Sequence, residues 1–576
     1  MTKPLYILGI HDGHNSSASI VADGVVVAAV QEERLTRRKN EVGYPRRAIE
    51  DCLRIAGIGA GELAQVVYAS LFMHKTDYLL NIEPWYVTGL EHQRADATRP
   101  KQYEKVIFEQ RKAERIADVV AHLGVAAERI SFVEHHLAHL AGAYFTAPLG
   151  DHAGPVLGLT CDGAGDNIAG SVSICRGNAI ERIATTDRHA SLGKIYSRMT
   201  MLLGMTPWEH EYKLMGLAPY ADPDHARKAE QKLRPLLRID AEGLRFVQGG
   251  ELSMNYCYEY LRDAFERTRF DTMSAAVQLF TEEMLVEWVR AAVRKTGIAD
   301  LVCGGGVFMN VKANKAIAEM PEVRSLYVMP SAGDESLSIG AALHRHYMQT
   351  GSADRSASTF RNLYLGGDYG AADEKAAVAA QAGGGIFDVV ESDDVDSRVV
   401  DLLAAGEIVA RCRGRMEFGA RALGNRSILS DASDFRTVEK LNNKIKHRDF
   451  WMPFAPSIRA ESAGRYMTDP KGLKPYFMMA AYEGSRDAAR DLAAAMHPRD
   501  HTIRPQVVTA TANPGYHRII GGFEQKTGRG GVLNTSFNLH GEPIVYTPAE
   551  AIDVFLRSGL DHLALDRHIL SKRDVA

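Results

Sequence analysis

Apolar and polar positions alternate in short blocks at the start of the chain. Residues 6–10 are apolar, and His11-Asp12-Gly13-His14-Asn15-Ser16-Ser17 has turn chemistry. Residues 18–22 are apolar again, Asp23-Gly24 marks a tight turn, and residues 25–30 resume. Blocks of this length bounded by Asp-Gly turns predict a strand, a turn and a β-hairpin. A similar pattern returns later. Residues 156–160 are apolar, residues 162–167 (DGAGDN) read as a turn, residues 170–175 resume, and Arg176-Gly177-Asn178 turns again.

Helical spacing takes over further on. Ala276, Val277, Phe280, Met284, Trp288 and Ala292 fall on one stripe, and Gly297 stops that helix. Leu301-Val302-Cys303 is a short apolar strand leading into Gly304-Gly305-Gly306, and residues 307–320 are predicted to run as a helix. A last helix opens at Thr547-Pro548-Ala549-Glu550, with Thr547 as cap, Pro548 at the first helical position and Glu550 completing a capping box. Residues 351–359 (GSADRSAST) have linker composition. They divide the chain into an expected larger domain over 1–350 and a smaller one over 360–576.

The two strand-turn-strand units are read as an internal duplication; the plain alternative is two unrelated hairpins. Two Gly-rich hairpins facing across a cleft would present N–H groups to phosphates. That plan resembles the actin and hexokinase (ASKHA-type) class of ATP-binding folds. Such folds take adenosine at a third Gly-rich turn between a strand and a helix, the place held here by Gly304, Gly305 and Gly306.

Composition narrows the function classes. A chain of 576 residues is too long for one core, and 45% hydrophobic with 24% charged residues is an ordinary globular balance. A formal charge of −4 does not advertise nucleic-acid binding. Mean hydropathy is −0.19, and no apolar run approaches the roughly 18 residues of a membrane span. The N-terminus has no basic region followed by a long apolar stretch, so no signal peptide is expected. Six cysteines without a CxxC pair argue against a disulfide framework or a cysteine zinc site and fit a reducing cytoplasm.

Two clusters carry candidate chemistry. In Glu134-His135-His136-Leu137-Ala138-His139, His135 and His139 are four apart and share one helix face, as two metal ligands must, while His136 points away. Asp162, Asp166 and Asp334 are candidate carboxylate ligands. Two histidines with carboxylates suit iron, zinc or manganese rather than calcium. The plain alternative is a polar helix face and turn aspartates. The second cluster is basic. Residues 411–448 hold ten lysines or arginines against four aspartates or glutamates, interspersed with glycines. This suits a folded loop around a planar oxyanion or phosphate more than a solvated helix face. The run lacks the interleaved aromatics of a single-stranded RNA surface.

Several segments together resemble one family. They are residues 31–39 (QEERLTRRK), 135–139 (HHLAH), 212–220 (YKLMGLAPY), 304–307 (GGGV), 414–419 (GRMEFG), 421–427 (RALGNRS), 453–457 (PFAPS) and 534–538 (NTSFN). In this order they resemble the NodU/CmcH O-carbamoyltransferases, over nearly the whole chain. The resemblance implies a two-site enzyme. Its N-terminal part is similar to the metal- and nucleotide-binding transferase that makes threonylcarbamoyladenosine, and its C-terminal part is an α/β domain similar to YrdC. The C-terminal site would make carbamoyl adenylate from carbamoyl phosphate and Mg-ATP. The N-terminal site would pass the carbamoyl group to a hydroxyl of a small-molecule acceptor, such as a natural product or sugar.

The resemblance also implies residue roles. His135, His139, Asp162 and Asp334 would hold a divalent metal, typically iron(II). Lys39 and the two hairpins would hold phosphate, and Gly304, Gly305, Gly306 and Asn310 the adenosine. His14, beside the first hairpin turn, would be the general base for the acceptor; the plain alternative is a structural turn histidine. In the C-terminal site Arg421, Arg504, Lys446 and Ser536 would contact carbamoyl phosphate and triphosphate, with Arg415, Arg426 and Asn534 as second choices.

Two departures stand out. Met452 replaces the arginine that many relatives carry before Pro-Phe-Ala-Pro, so either another cation such as Arg448 covers the phosphate or donor binding is weaker. His14-Asn15 stands where several relatives have His-Asp. The stretch 71–110, with Trp85 and Tyr86, has no clear pattern; its aromatics either line an acceptor pocket or pack as core. The alternatives are a tRNA threonylcarbamoyl transferase-like enzyme, a small-molecule kinase of the duplicated ATPase class, and an actin-like assembly protein. No nucleic-acid or membrane partner is expected, and a homodimer is the commonest arrangement.

Overall fold

The computed structural model describes residues 3–98, 102–149, 154–382, 386–469 and 471–573. The chain divides into two compact units. One comprises Met1–Glu32 and Asn40–Phe360, the other Glu33–Lys39 and Arg361–Ala576. Among the described residues no helix is long and apolar enough to cross a membrane. All six cysteines are buried thiols, none in a disulfide.

The first unit opens with strands β1 (Tyr6–His11), β2 (Ser17–Ala22) and β3 (Val25–Gln31), followed by β4 (Leu63–Ala69) and β5 (Ile130–Val133). They form a sheet in the order β3-β2-β1-β4-β5. β1, β2 and β3 pair antiparallel, whereas β1–β4 and β4–β5 are parallel. The Asp23-Gly24 turn has φ of 47° and 87°, the left-handed pair a tight hairpin needs. A second sheet contains β6 (Val156–Gly165), β7 (Ile168–Arg176), β8 (Ala179–Asp187) and strands Asp300–Gly304 and Ser325–Val328. Its order and strand senses repeat those of the first sheet.

The turn expected over residues 162–167 is shorter than the sequence suggested. β6 continues to Gly165, and only Asp166-Asn167 turns, with φ of 50° and 67°. The strand absorbs the extra residues as a bulge between Cys161 and Gly165. The Ser191 hydroxyl donates to the bulge carbonyls of Asp162 and Gly163, so they are not left unpaired. The helix expected over 307–320 is likewise broken. A single 3₁₀ turn, Gly306–Met309, precedes helix Val311–Ala318 because the Asn310 side chain caps that helix at the Ala313 N–H. Helix Phe270–Thr296 ends at Gly297 as the pattern predicts.

Each sheet is covered by a helix that follows the other sheet's last strand. Helix His135–Thr146 follows β5 and packs on the second sheet; helix Leu337–Thr350 follows strand Ser325–Val328 and packs on the first. The two helices cross at glycines. A Cβ on Gly340 would lie 1.8 Å from the Ala138 carbonyl oxygen, and one on Gly9 of β1 would lie 1.9 Å from that of Ser338. Residues 351–360 stay with this unit, since the Ser358 hydroxyl donates to the Phe145 carbonyl and the Phe360 N–H to that of Thr146.

The second unit is built on an eight-stranded mixed sheet. In spatial order its strands are Phe387–Glu391, His568–Lys572, His562–Ala564, Val409–Cys412, Arg426–Ser430, Gly531–Ser536, Ala455–Arg459 and Gln506–Val508. Helices Val395–Ala404 and Pro514–Thr527 pack together through Val399, Leu403, Ile519 and Phe523. Helix Pro548–Arg557 contributes Ile552 and Phe555 to another apolar cluster with Phe387 and Leu563. Thr547 caps that last helix as predicted, while the Glu550 carboxylate reaches the Tyr546 N–H.

The sequence reading left Lys39 beside the N-terminal hairpins. The structure groups it instead with the second unit, because Glu33–Lys39 is tied into that unit by arginines. Arg34 donates to the Gly419 carbonyl, and Arg37 donates to the carbonyls of Pro543 and Ile544.

The helix crossing makes a testable demand. Gly340→Ala must push two backbones apart, so it is expected to lower stability by about 2 kcal/mol or more in urea unfolding. Gly61→Ala, where an added Cβ meets nothing within 4 Å, is the silent control.

Candidate functional site

In the first unit the functional side chains gather where strands and helices end. Helix His135–Thr146 begins against carboxylates. Glu134 accepts from the N–H groups of His136 and Leu137, each at 2.9 Å, and Asp166 accepts from that of His135 at 2.8 Å. Those carboxylates satisfy otherwise orphaned donors and suit the positive end of the helix. Asp166 also accepts from the N–H groups of Leu71 and Phe72, so it ties the loop after β4 to the helix start. It is thereby separated from the other two candidate aspartates, which face the histidines.

His135, His139, Asp162 and Asp334 each offer one ligand atom, and these atoms lie within 4.8 Å of one another. His135 Nε2 is 3.0 Å from Asp162 Oδ2 and 3.6 Å from Asp334 Oδ1. His139 Nε2 is 3.4 Å from each of the same two oxygens. Its Nδ1 is buried without a hydrogen-bond partner among the described residues. Buried imidazole nitrogens aimed at two carboxylates fit a divalent cation and have no apolar explanation. His136 is different. Its Nδ1 meets Thr160 Oγ1 at 2.8 Å and its Nε2 the Ile168 carbonyl at 2.9 Å, so both nitrogens are satisfied within the core.

Electrostatics follow the same division. Burial works against charge on His135, but the Asp334 and Asp162 carboxylates outweigh it and hold that imidazole up to about 9. His139 is raised against burial by the same pair. Asp162 is also buried, yet its two histidine partners hold it well below the usual carboxylate range. Burial and the neighbouring His135 charge push His136 down to about 3.

The Gly-rich turn closes on this cluster. The Gly306 N–H donates to Asp162 Oδ1 at 3.3 Å. Gly305 has a φ of 98°, and a Cβ there would lie 2.4 Å from the Cys161 carbonyl oxygen. Asn310 pairs its side-chain amide reciprocally with that of Gln278.

His14 lies in the first hairpin turn with Nε2 buried and unpartnered. Burial lowers its pKa, and Asp334 acts on it in the opposite sense. Its ring packs on Trp208 at 4.1 Å between centroids, and Trp208 meets Trp85 edge-on at 4.4 Å. Tyr86 packs on Tyr258 instead. Of the stretch 71–110, residues 99–101 lie outside the described residues.

Sequence reasoning missed several groups here. His11 Nε2 sits 3.9 Å from Asp334 Oδ2 and 3.1 Å from the His14 carbonyl, and burial pushes it down to about 4. The spacing His11-x-x-His14 was its only signal. Lys194, on helix Leu192–Leu202, is lowered to about 7 by burial and by the charges of Arg198 and Arg188. Ser70 and Arg115 had no signal at all.

In the second unit the cations fall into two groups. Arg426 is almost fully buried, and its guanidinium donates to the carbonyls of Tyr546, Arg413, Gly414 and Asn425. Arg415 donates to those of Gly366 and Leu365. The Asn534 amide donates to Ala422, Ser457 and Gln506. These three side chains shape the loop. Lys446 differs, because its ammonium is buried among neutral acceptors: Ser536 Oγ at 3.1 Å and Asn538 Oδ1 at 2.9 Å. Burial and the charges of Arg448 and Lys39 push it well below the usual lysine range. A bound anion would relieve that crowding. Arg448 donates to Thr535 Oγ1 at 2.9 Å. Arg421 and Arg504 each have a buried Nε.

Comparison with known proteins agrees with both units. The family profile described as Carbamoyltransferase N-terminus matches residues 6–343, and that described as Carbamoyltransferase C-terminus matches residues 400–572. The nodulation protein NolNO of Sinorhizobium fredii is 31% identical, covering 97% of this chain and 79% of its own length. An uncharacterized protein of Synechocystis is 30% identical over 98% of this chain and 97% of its own. The 3'-hydroxymethylcephem-O-carbamoyltransferase of Streptomyces clavuligerus is 30% identical over 47% of this chain and 48% of its own.

The two neighbouring histidines can be separated by experiment. His139→Ala is expected to lose stoichiometric divalent metal in elemental analysis of the metal-loaded protein. His136→Ala should keep the metal but lose about 2 kcal/mol of stability, because Thr160 and the Ile168 carbonyl lose a buried partner.

Proposed function

Because the chain belongs to the carbamoyltransferase family, we propose that it is an ATP-dependent O-carbamoyltransferase that works through a carbamoyl adenylate. The observation that carries the reading is the convergence of His135, His139, Asp162 and Asp334 in a chain that also holds a buried Lys446 ammonium under the charges of Arg448 and Lys39. The repeated sheet order of the first unit supports a duplicated ATPase-type fold of the actin and hexokinase class; the YrdC-like second unit of this reading follows from the family resemblance.

In the second unit, Arg421, Arg504, Lys446 and Ser536 take the phosphates of carbamoyl phosphate and Mg-ATP, with Lys39 and Arg448 nearby. Arg448 stands in for the cation that Met452 does not supply. Arg415, Arg426 and Asn534 hold the loop that shapes the site. Water cleaves carbamoyl phosphate to carbamate and phosphate. A carbamate oxygen then attacks the α-phosphorus of ATP and pyrophosphate leaves, so atoms balance and carbamoyl adenylate remains.

In the first unit, the Gly304–306 turn and Asn310 take the adenosine. The two histidines and two aspartates hold a divalent cation, iron(II) in this reading, which when bound stabilises phosphate charge and polarises oxygen. His14 accepts the proton of the acceptor hydroxyl as its oxygen attacks the carbamoyl carbon, and AMP leaves with the electron pair of the broken C–O bond. A neutral imidazole suits that role, and burial keeps His14 neutral at pH 7. The acceptor is a small-molecule alcohol, with Trp85 and Trp208 forming a wall beside His14.

The test omits the acceptor. Carbamoyl phosphate, ATP and magnesium should yield carbamoyl adenylate by mass spectrometry, with phosphate and pyrophosphate released. Arg421→Ala or Arg504→Ala should reduce its formation by about 100-fold or more, the scale of a lost charge-stabilising donor. His14→Ala should leave that formation intact. Absence of the adenylate with metal-replete, folded protein refutes the mechanism.

A further inference from the structure

The loop after β4 sits behind one of the four metal-facing side chains. Ser70 is 2% exposed and has a φ of 71°, a left-handed backbone unusual for serine. Its Oγ is 3.0 Å from His135 Nδ1, on the far side of the ring from Asp162 and Asp334. When a cation takes the place of the Nε2 proton, a hydroxyl accepting from Nδ1–H keeps the remaining proton there and leaves the Nε2 lone pair for the cation between it and the two carboxylates.

Ser70 is itself held from two sides. Arg115, 1% exposed, donates to the Ser70 carbonyl at 2.9 Å and to the Ala69 carbonyl at 2.8 Å. Its charge is paired with Asp12 at 3.0 Å, and its guanidinium covers the Tyr68 ring at 4.3 Å. Immediately after Ser70, Asp166 accepts from the Leu71 and Phe72 N–H groups and also from that of His135. The loop and the helix start are therefore anchored to one carboxylate. Glycine would meet the backbone demand at position 70 without strain. What serine adds is the hydroxyl, and its partner is the ring of His135.

We propose that Ser70 is a positioning residue for the metal centre: its hydroxyl, held by Arg115 and the Asp166 anchor, selects the His135 tautomer that presents Nε2 to a divalent cation. This rests on the reading of His135, His139, Asp162 and Asp334 as metal ligands.

The test is a cobalt(II) titration of the full-length metal-free protein, followed by absorbance, with thermal unfolding measured alongside. Ser70→Gly removes the hydroxyl and relieves the backbone; Ser70→Ala removes it and keeps the strain. Both are expected to bind cobalt about 10- to 100-fold more weakly than the unaltered protein, the usual effect of losing such a supporting partner. Ser70→Gly should unfold no earlier than the unaltered protein and Ser70→Ala earlier. A loss of affinity shared by two variants of opposite stability assigns the effect to the hydroxyl. If both variants bind as tightly as the unaltered protein, Ser70 only fills the loop and the proposal is overturned, with the metal site standing. If the unaltered protein binds no cobalt, or His139→Ala binds it equally well, the metal reading fails and the proposal with it.

Discussion

A Cβ on Gly340 would sit 1.8 Å from the Ala138 carbonyl oxygen, closer than any two non-bonded atoms approach. That contact fixes how two helices cross. One helix carries His135 and His139, and the other begins just after Asp334. Each follows one sheet and covers the other, so the crossing also locks the two sheets together. The crossing brings His135 and His139 of one helix near Asp334 at the start of the other, while Asp162 comes from β6, and the four candidate ligand atoms lie within 4.8 Å of one another. A larger residue at the crossing would move Asp334 away from the two histidines. Packing and chemistry in this unit are thus one constraint.

Features that depend on a few neighbouring residues were legible in the sequence. The Asp23-Gly24 hairpin, the Gly297 stop, the Thr547 cap and the His135–His139 face each need only local geometry. The features that escaped need the tertiary structure. The continuation of β6 to Gly165 depends on Ser191 capping the bulge carbonyls from a later helix. The break at Asn310 depends on a side-chain cap that competed with an otherwise helical pattern. Glu33–Lys39 looked like part of the N-terminal hairpin region, but its arginines find carbonyl partners some five hundred residues away in sequence. Arg426 was a second-choice anion contact on the family resemblance, while its guanidinium is occupied by carbonyl oxygens. Composition reports charge; only geometry reports what the charge faces.

The net charge of −4 conceals two opposite centres. Around His135 and His139, carboxylates face the rings, and the imidazoles hold protons against burial. At Lys446, the Arg448 and Lys39 charges act on an ammonium held by Ser536 and Asn538 oxygens, and it loses proton affinity. In the proposed function a cation would complete the first arrangement and an anion the second. Burial amplifies both demands, since low dielectric strengthens every unbalanced charge. A reaction that takes in phosphates and uses a metal fits such a pairing without requiring an overall charge of either sign.

Within the first unit, the Gly-rich turn belongs to two jobs at once. Its Gly306 N–H donates to the Asp162 carboxylate, and a side chain at Gly305 would strike the backbone that carries that aspartate. The same turn offers the open backbone proposed to receive adenosine. A nucleotide that shifted the turn would therefore also shift a hydrogen bond on Asp162 Oδ1, the partner of the Oδ2 that faces the two histidines, and a charge change at Asp162 would act on the turn in return. Reciprocity of this kind follows from sharing one donor between two neighbours. It gives the three glycines a reason beyond flexibility: the backbone must come close to both partners, and any side chain would separate them.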